Sequence, residues 1–114
     1  MATIYKIVPR DIWREAEAVG VFAGAGIDLS DGFIHFSSRA QVEETAARHF
    51  AGAGDLLLVA VEAARLGEAL KWEPSRGGDL FPHLYGSLPL DLVSRVDPLP
   101  LRDDGRHDFA GLLA

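Results

Sequence analysis

The fold and the candidate site both centre on residues 76–90, which read R-G-G-D-L-F-P-H-L-Y-G-S-L-P-L. Within this stretch, residues Leu80 to Leu90 have no formal charge, apart from any proton on His83, and include many large apolar side chains. Most of this part is therefore predicted to be buried. If the middle is extended, a period of two places His83 and Tyr85 on one face and Leu84 on the other. We therefore expect a strand that presents two polar rings on one side.

The residues just before this strand are suited to binding an anion. Arg76 supplies a guanidinium group, and the following Gly77 and Gly78 can form a turn that exposes backbone N–H groups. Combined with the rings of His83 and Tyr85, these groups indicate a site for an anionic or hydroxyl-rich ligand.

Composition limits the class of protein. With 114 residues, the chain is predicted to form one domain over residues 1–101, followed by a tail at 102–114. Hydrophobic residues make up 48% and charged residues 25%, as in ordinary soluble proteins, and no apolar run approaches the ~20 residues of a membrane span. The first residues do not resemble a secretory signal, so we expect a cytoplasmic protein without membrane contact. The formal net charge of −6 argues against non-specific binding to nucleic acid, which needs clustered Lys and Arg.

The pattern of apolar residues predicts about five to six strands and two main helices, which is an α+β fold. A first helix is expected with Asp11 as N-cap and Gly20 as its C-terminal stop, and a second from about Arg39 to Phe50. The glycine-rich segment 21–32 is predicted to be a loop. Strands are predicted at Thr3–Val8, at Phe33–Ser37, in the apolar run after Asp55 and at Leu92–Leu101.

Two of these strands share a feature that suggests a binding cleft. His35 precedes Ser37 by two positions, just as His83 precedes Tyr85, so each strand would present an imidazole and a hydroxyl on one face. If both faces line one cleft, the set can orient a ribose or a phosphate. The competing interpretation is that both histidines are hydrogen-bonded core residues and that the surface partner is another protein.

Other kinds of site have weaker support. A zinc site is not predicted, because the chain has no cysteine and no H-x-x-x-H or H-x-H motif. Neither Ser37 nor Ser87 lies in a G-x-S-x-G elbow, and no G-x-G-x-x-G follows a strand, so a serine hydrolase and a Rossmann domain are disfavoured. Trp72 is interpreted as a core residue and Glu73 as a solvated carboxylate, although both stand close enough to Arg76 to lie at the rim of a cleft.

Three motifs suggest a family: I-Y-K-I at residues 4–7, D-G-F-I-H-F-S at 31–37, and W-E-P-S-R-G-G-D-L-F-P-H-L-Y-G-S-L-P at 72–89. Through them the chain resembles the domain of unknown function 952 family over about residues 4–101. That family is similar in fold to the ADP-ribosyltransferases, whose split α+β sheet forms a cleft for NAD. The order of strand, helix, glycine-rich loop and D-G-F-I-H-F-S also resembles the RNA 2′-phosphotransferase branch of that superfamily.

The resemblance implies a nucleotide- or NAD-handling transferase, of the ADP-ribosyl or 2′-phosphotransferase kind, whose ligand is a small phosphorylated molecule or nucleotide. The alternative is a non-catalytic nucleotide-binding or sensor domain with the same cleft. No cofactor is implied beyond NAD or a related nucleotide, and the last strand lacks the glutamate that these transferases usually place there. The implied catalytic residues are His35, Arg76 and His83, and the implied ligand contacts are Lys6, Ser37, Gly77, Gly78 and Tyr85.

Overall fold

The computed structural model describes residues 2–113, apart from the side chain of Arg76. Antiparallel sheets and short helices alternate along the chain, which confirms the predicted α+β class. Three 3₁₀ segments lie at Ala63–Ala69, Arg76–Gly78 and Leu90–Leu92. The other elements, in chain order, are β1 (Thr3–Pro9), α1 (Arg10–Val19), β2 (Val21–Phe22), α2 (Ile27–Asp31), β3 (Ile34–His35), β4 (Ser37–Ser38), α3 (Val42–His49), β5 (Leu56–Glu62), β6 (Leu70–Pro74), β7 (Leu80–Leu84), β8 (Leu88–Pro89) and β9 (Val93–Leu99).

The largest sheet has the order β4-β1-β5-β9, and its two central strands are buried on both faces. Every residue of β1 pairs with one of β5, from Thr3 opposite Glu62 to Pro9 opposite Leu56. Alternate residues of β5 enter two separate core clusters, because successive side chains of a strand point to opposite faces. The prediction that the apolar run after Asp55 is a buried central strand is confirmed.

Each face of this sheet is covered by different elements. One face packs against α1, which buries Trp13 and Ala16, and against the strands of the two smaller sheets. The other face packs against Val42 and Ala46 of α3 and against Phe109. Full burial of one such aliphatic or aromatic side chain contributes roughly 1.5–3 kcal/mol, so these contacts hold the layers together.

The chain changes sheets in the middle of the predicted strand Phe33–Ser37. β3 pairs with β7 in a three-stranded sheet of order β3-β7-β6, whereas β4 pairs with β1 in the large sheet. Phe36 lies between the two short strands, is buried, and donates its backbone N–H to the carbonyl oxygen of Pro82 at 2.9 Å. One continuous strand was therefore the wrong prediction, and His35 and Ser37 belong to different sheets.

Helix boundaries also differ from those predicted. α1 ends as expected, since Gly20 has a left-handed φ of 95° and donates its N–H to Ala16. Asp11 is not the N-cap, because the helix already begins at Arg10 and the Asp11 carboxylate accepts the neighbouring N–H of Ile12. α3 begins at Val42 rather than near residue 39.

Two segments without helical periodicity proved to be ordered elements. Residues 21–32, predicted to be a loop, contain β2 and the single-turn helix α2. The tail packs against the domain: Leu101 pairs with His107, whose Nε2 lies 2.7 Å from the carbonyl oxygen of Ala53.

Trp72 was wrongly interpreted as core, since it is 41% exposed on β6. In residues 2–113, no helix is long and apolar enough to cross a lipid bilayer.

Candidate functional site

A cavity of about 410 Å³ is lined by residues of both larger sheets and of all three α-helices. Its volume is in the range of pockets that hold small organic molecules. Its walls are largely apolar and include Ile7, Ile12, Phe36, Phe50 and Phe81. Its polar lining includes Lys6, Asp28, His35, Ser37, Thr45, His49, Ser75 and His83.

A buried ion pair forms one wall of this cavity. Lys6 reaches from β1 to Asp28 on α2, with Nζ 2.8 Å from Oδ2, and their side chains are only 11% and 1% exposed. The Asp28 carboxylate also accepts the backbone N–H groups of Ala25 at 3.0 Å and His35 at 3.1 Å. Asp28 therefore has partners on both of its oxygens and fixes α2 against β1 and β3.

Burial acts on the two ionised groups in opposite ways. Burial by itself raises the pKa of Asp28, but the charge of Lys6 and the hydrogen bonds to the carboxylate outweigh it and leave that pKa below its usual value. Burial lowers the pKa of Lys6, against the attraction of Asp28. Lys6, which was expected to contact a ligand, lines the cavity, and its ammonium group is bound by Asp28.

His35 lies between two carboxylates. Its Nδ1 is 2.6 Å from Asp28 Oδ1, and its Nε2 is 3.0 Å from Asp31 Oδ2. Ionised carboxylates only accept hydrogen bonds, so both nitrogens can be satisfied at once only if the ring is the doubly protonated imidazolium. In that state the Nε2–H of His35 points towards Asp31.

His83 has a carboxylate partner of its own. Its Nδ1 is 2.9 Å from Glu73 Oε1, and the same oxygen accepts the hydroxyl of Tyr85 at 2.8 Å. The hydrogen bond from His83, followed by that from Tyr85, lowers the pKa of Glu73, and the bond to Glu73 raises the pKa of Tyr85. Glu73 is therefore not the isolated solvated carboxylate that was predicted. It orients both rings.

The two histidines face each other across a strand pair. His35 on β3 is directly opposite His83 on β7, and their ring centroids are 5.2 Å apart. Phe33 packs against both rings, at 4.5 Å from His35 and 4.3 Å from His83, and against Tyr85 at 5.1 Å. The strand register thus brings together two imidazoles that are far apart in the sequence.

The sequence matches the family described as "Protein of unknown function (DUF952)" over residues 7–96. The chain belongs to the DUF952 family. It is similar to the crystal structure of protein CC0527 from Caulobacter crescentus, with 51% identity over 95% of each chain and a TM-score of 0.91. The solution NMR structure of CC0527 gives 51% identity over 98% of this chain and 97% of that chain, with a TM-score of 0.87. No curated protein matches the chain.

Other expected site residues of this DUF952 domain take different positions. Ser37 lines the cavity, but its hydroxyl lies 2.8 Å from that of Thr45. Tyr85 lies outside the cavity lining and is half exposed. Gly77 and Gly78 form a turn with positive φ values of 71° and 85°, yet neither lines the cavity.

The turn at residues 76–78 differs from the anion site that was expected there. The Gly78 N–H donates to Ser75 at 2.9 Å, so it is not the free amide that was predicted. The backbone of Arg76 belongs to this turn, but its side chain lies outside the described structure. Among the described residues, no group of three or more His, Asp or Glu is arranged to bind a metal ion.

Two carboxylates at the site, Asp28 and Asp31, were missed by the sequence analysis, and Glu73 was considered only as a residue at the rim of the cleft. The two aspartates are three residues apart, a spacing that places side chains on one face of a helix, and this was the available signal for α2. The contact of Glu73 with His83 depends on the pairing of β6 with β7, which no local pattern indicated.

Proposed function

We propose that the cavity binds a nucleotide or a similar small phosphorylated ligand, and that the chain is a transferase acting on this ligand or on an NAD-derived group. The observation on which the proposal depends is the facing pair of His35 and His83 in a cavity of about 410 Å³. An apolar wall suits a planar base, while imidazole rings suit a ribose or a phosphate.

The arrangement of the sheets supports the finer part of the proposal, an ADP-ribosyltransferase-like split sheet. A four-stranded and a three-stranded antiparallel sheet both contribute residues to the cavity. Lys6 on β1 and His35 on β3 are adjacent to the same carboxylate, so the first strand and the D-G-F-I-H-F-S motif meet at one point. This is where a cleft between the two sheets would bind its ligand.

His83 is the best candidate for acid–base chemistry. Its Nδ1 faces the Glu73 carboxylate, which favours the tautomer with a proton on Nδ1 and leaves Nε2 free of any hydrogen bond with the described residues. In that state Nε2 can accept a proton from an attacking hydroxyl group of a substrate. His35 would hold the ribose or phosphate, and Arg76 would supply positive charge for the anion.

Calorimetric titration with NAD, ADP-ribose and a 2′-phosphorylated nucleotide tests the binding part. We expect heat from at least one of these ligands and a loss of about tenfold or more in affinity in His35→Ala, equal to ~1.4 kcal/mol. Circular dichroism of the variant checks that it is folded. No heat from any of the three ligands would refute the proposal.

Catalysis is tested by incubation with NAD and detection of free nicotinamide. Removal of a general base lowers the rate on the order of a hundredfold or more, so His83→Gln should almost abolish release while binding persists. Glu73→Gln is the matched variant, because it alters the ring partner but leaves the imidazole in place. Equal rates in wild type and His83→Gln would exclude His83 as the acid–base group.

A non-catalytic nucleotide-binding domain is the second candidate. It is favoured by the commitment of Lys6 to Asp28 and of Glu73 to two rings, which leaves neither group free to act on a substrate. This alternative would be supported if the protein binds a nucleotide but neither releases nicotinamide nor transfers a phosphate.

A further inference from the structure

The outer nitrogen of His35 is already occupied by an acidic side chain of the same chain. Asp31 Oδ2 lies 3.0 Å from His35 Nε2, whereas Nδ1 is bound by Asp28 on the inner side. The two aspartates differ in burial, since the Asp31 side chain is 45% exposed and that of Asp28 only 1%. His35 itself lines the cavity, but Asp31 does not.

We propose that Asp31 competes with the ligand for His35, and that the ligand places an anionic oxygen, of a phosphate or a carboxylate, where the Asp31 carboxylate lies. This inference rests on the proposed function and adds to it the class of the group that binds Nε2. It also identifies a residue that sets the affinity of the site without contacting the bound ligand.

The chemistry of His35 selects an anionic acceptor. With Asp28 accepting from Nδ1 and Asp31 accepting from Nε2, the doubly protonated ring presents an N–H on its outer side. A charged acceptor makes a hydrogen bond roughly twice as strong as a neutral one, and the distance of 3.0 Å to Asp31 is one that a phosphate oxygen can equally adopt. A ligand group that replaces the Asp31 carboxylate and makes an equally strong hydrogen bond is therefore itself an anion.

Asp31 is placed so that it can leave. It is the last residue of α2, which has only five residues, and it is followed by Gly32 with a left-handed φ of 84°. An ion pair with a half-exposed carboxylate is worth only about 0.2–1 kcal/mol, because water solvates the released group. Asp28 lacks this freedom, since it is buried against Lys6 and bonded to two backbone N–H groups.

Titration of Asp31→Asn with ADP-ribose and with adenosine tests the competition. Removal of the competing charge should tighten the binding of ADP-ribose about two- to fivefold at low salt, the upper value corresponding to ~1 kcal/mol, and less at high salt. The affinity for adenosine, which has no anionic group, should change by less than about twofold. Asp31→Ala should behave like Asp31→Asn, and Asp103→Asn, which removes an exposed charge from the tail, is the control that should leave both affinities unchanged.

Each outcome decides between the alternatives. If wild type binds ADP-ribose and neither Asp31 variant binds it more tightly, the competition is refuted and the proposed function stands. Equal tightening of adenosine would show that the gain does not depend on an anionic group of the ligand, which also refutes the inference. A gain that persists in the His35→Ala background would refute it too, since the competition acts through His35. If neither wild type nor any variant binds ADP-ribose, the inference is refuted, whereas the proposed function is refuted only if NAD and the 2′-phosphorylated nucleotide also give no heat.

Discussion

Two histidine–carboxylate clusters lie side by side on the β3–β7 strand pair, and they differ in the position of the carboxylate. In the inner cluster, of Lys6, Asp28 and His35, the carboxylate is almost completely buried. In the outer cluster, of Glu73, His83 and Tyr85, the histidine is buried but the Glu73 side chain is 35% exposed. Phe33 packs against rings of both.

This difference indicates that one histidine–carboxylate contact stabilises the fold and that the other orients the rings. The inner carboxylate neutralises a buried ammonium group and joins three elements, so its removal should mainly affect stability. The outer carboxylate accepts two hydrogen bonds near solvent, where an ionised group needs no partner to be stable. Its removal should mainly affect the orientation and protonation of the rings.

Asp28→Asn should cause the largest loss of stability. Lys6 would be left buried without a counter-charge, and breaking a buried ion pair on one side costs about 3–5 kcal/mol. Urea denaturation of wild type and variant measures this difference. The control is Asp103→Asn, an exposed substitution that should change the free energy of unfolding by no more than about 0.5 kcal/mol.

The double variant Lys6→Met with Asp28→Leu sharpens the test. Because it removes both charges and leaves apolar groups in their place, it should be clearly more stable than Asp28→Asn. A double variant as unstable as the single one would show that the hydrogen bonds of Asp28, and not its charge, are what the fold requires.

The inner cluster should also make the free energy of unfolding decrease at low pH. The folded-state pKa of Asp28 lies below its ordinary value of 3.8, so the unfolded chain binds a proton first as the pH falls. The contribution of Asp28 is therefore complete above that value and is lost as the pH falls through the lower, folded-state pKa. Urea midpoints between pH 6 and pH 2 should decline more steeply for wild type than for Asp28→Asn, and parallel curves would contradict the assignment.

Lys6 should affect the free energy of unfolding at high pH. Burial lowers its pKa from the ordinary value of 10.5, so the folded state releases this proton before the unfolded chain does. The cost of burying its charge is thus fully present below the folded-state pKa and is relieved as the pH rises towards 10.5.

Local patterns were sufficient for the central framework of the fold. β5 is an uninterrupted apolar run, α1 has its stop signal at Gly20, and alternation in the H-L-Y stretch places His83 and Leu84 on opposite sides of β7. In these places the residues that decide the structure are neighbours in the sequence.

The site was less predictable because its contacts join distant segments. Asp28 lies in a helix of five residues, whose local signal is limited to the spacing of Asp28 and Asp31, and it binds Lys6 from 22 positions away. The strand that contains His35 is divided at Phe36 because the two halves pair with different partners, β7 and β1. Predicting either feature requires the tertiary arrangement first.

Phe33→Leu tests whether the two clusters are mechanically connected. Loss of aromatic contacts with three rings should cost about 1–2 kcal/mol, less than the loss of the buried ion pair. It should also shift the ¹⁵N resonances of the ring nitrogens of both His35 and His83. Phe109→Leu, a buried aromatic residue in the opposite core cluster that does not line the cavity, is the matched control. A response of only one histidine would show that the clusters are independent.

Tyr85→Phe should have the smallest effect, one confined to the outer cluster. It removes the second-largest cause of the lowered pKa of Glu73, so that pKa should rise towards its ordinary value of 4.5 but stay below it, since the larger contribution from His83 remains. Carboxyl ¹³C titration measures this shift, and Asp28 in the same spectra is the internal control because it does not contact Tyr85. A simultaneous shift of Asp28 would mean that the two carboxylates respond as one unit, and the distinction between a structural inner cluster and an adjustable outer one would fail.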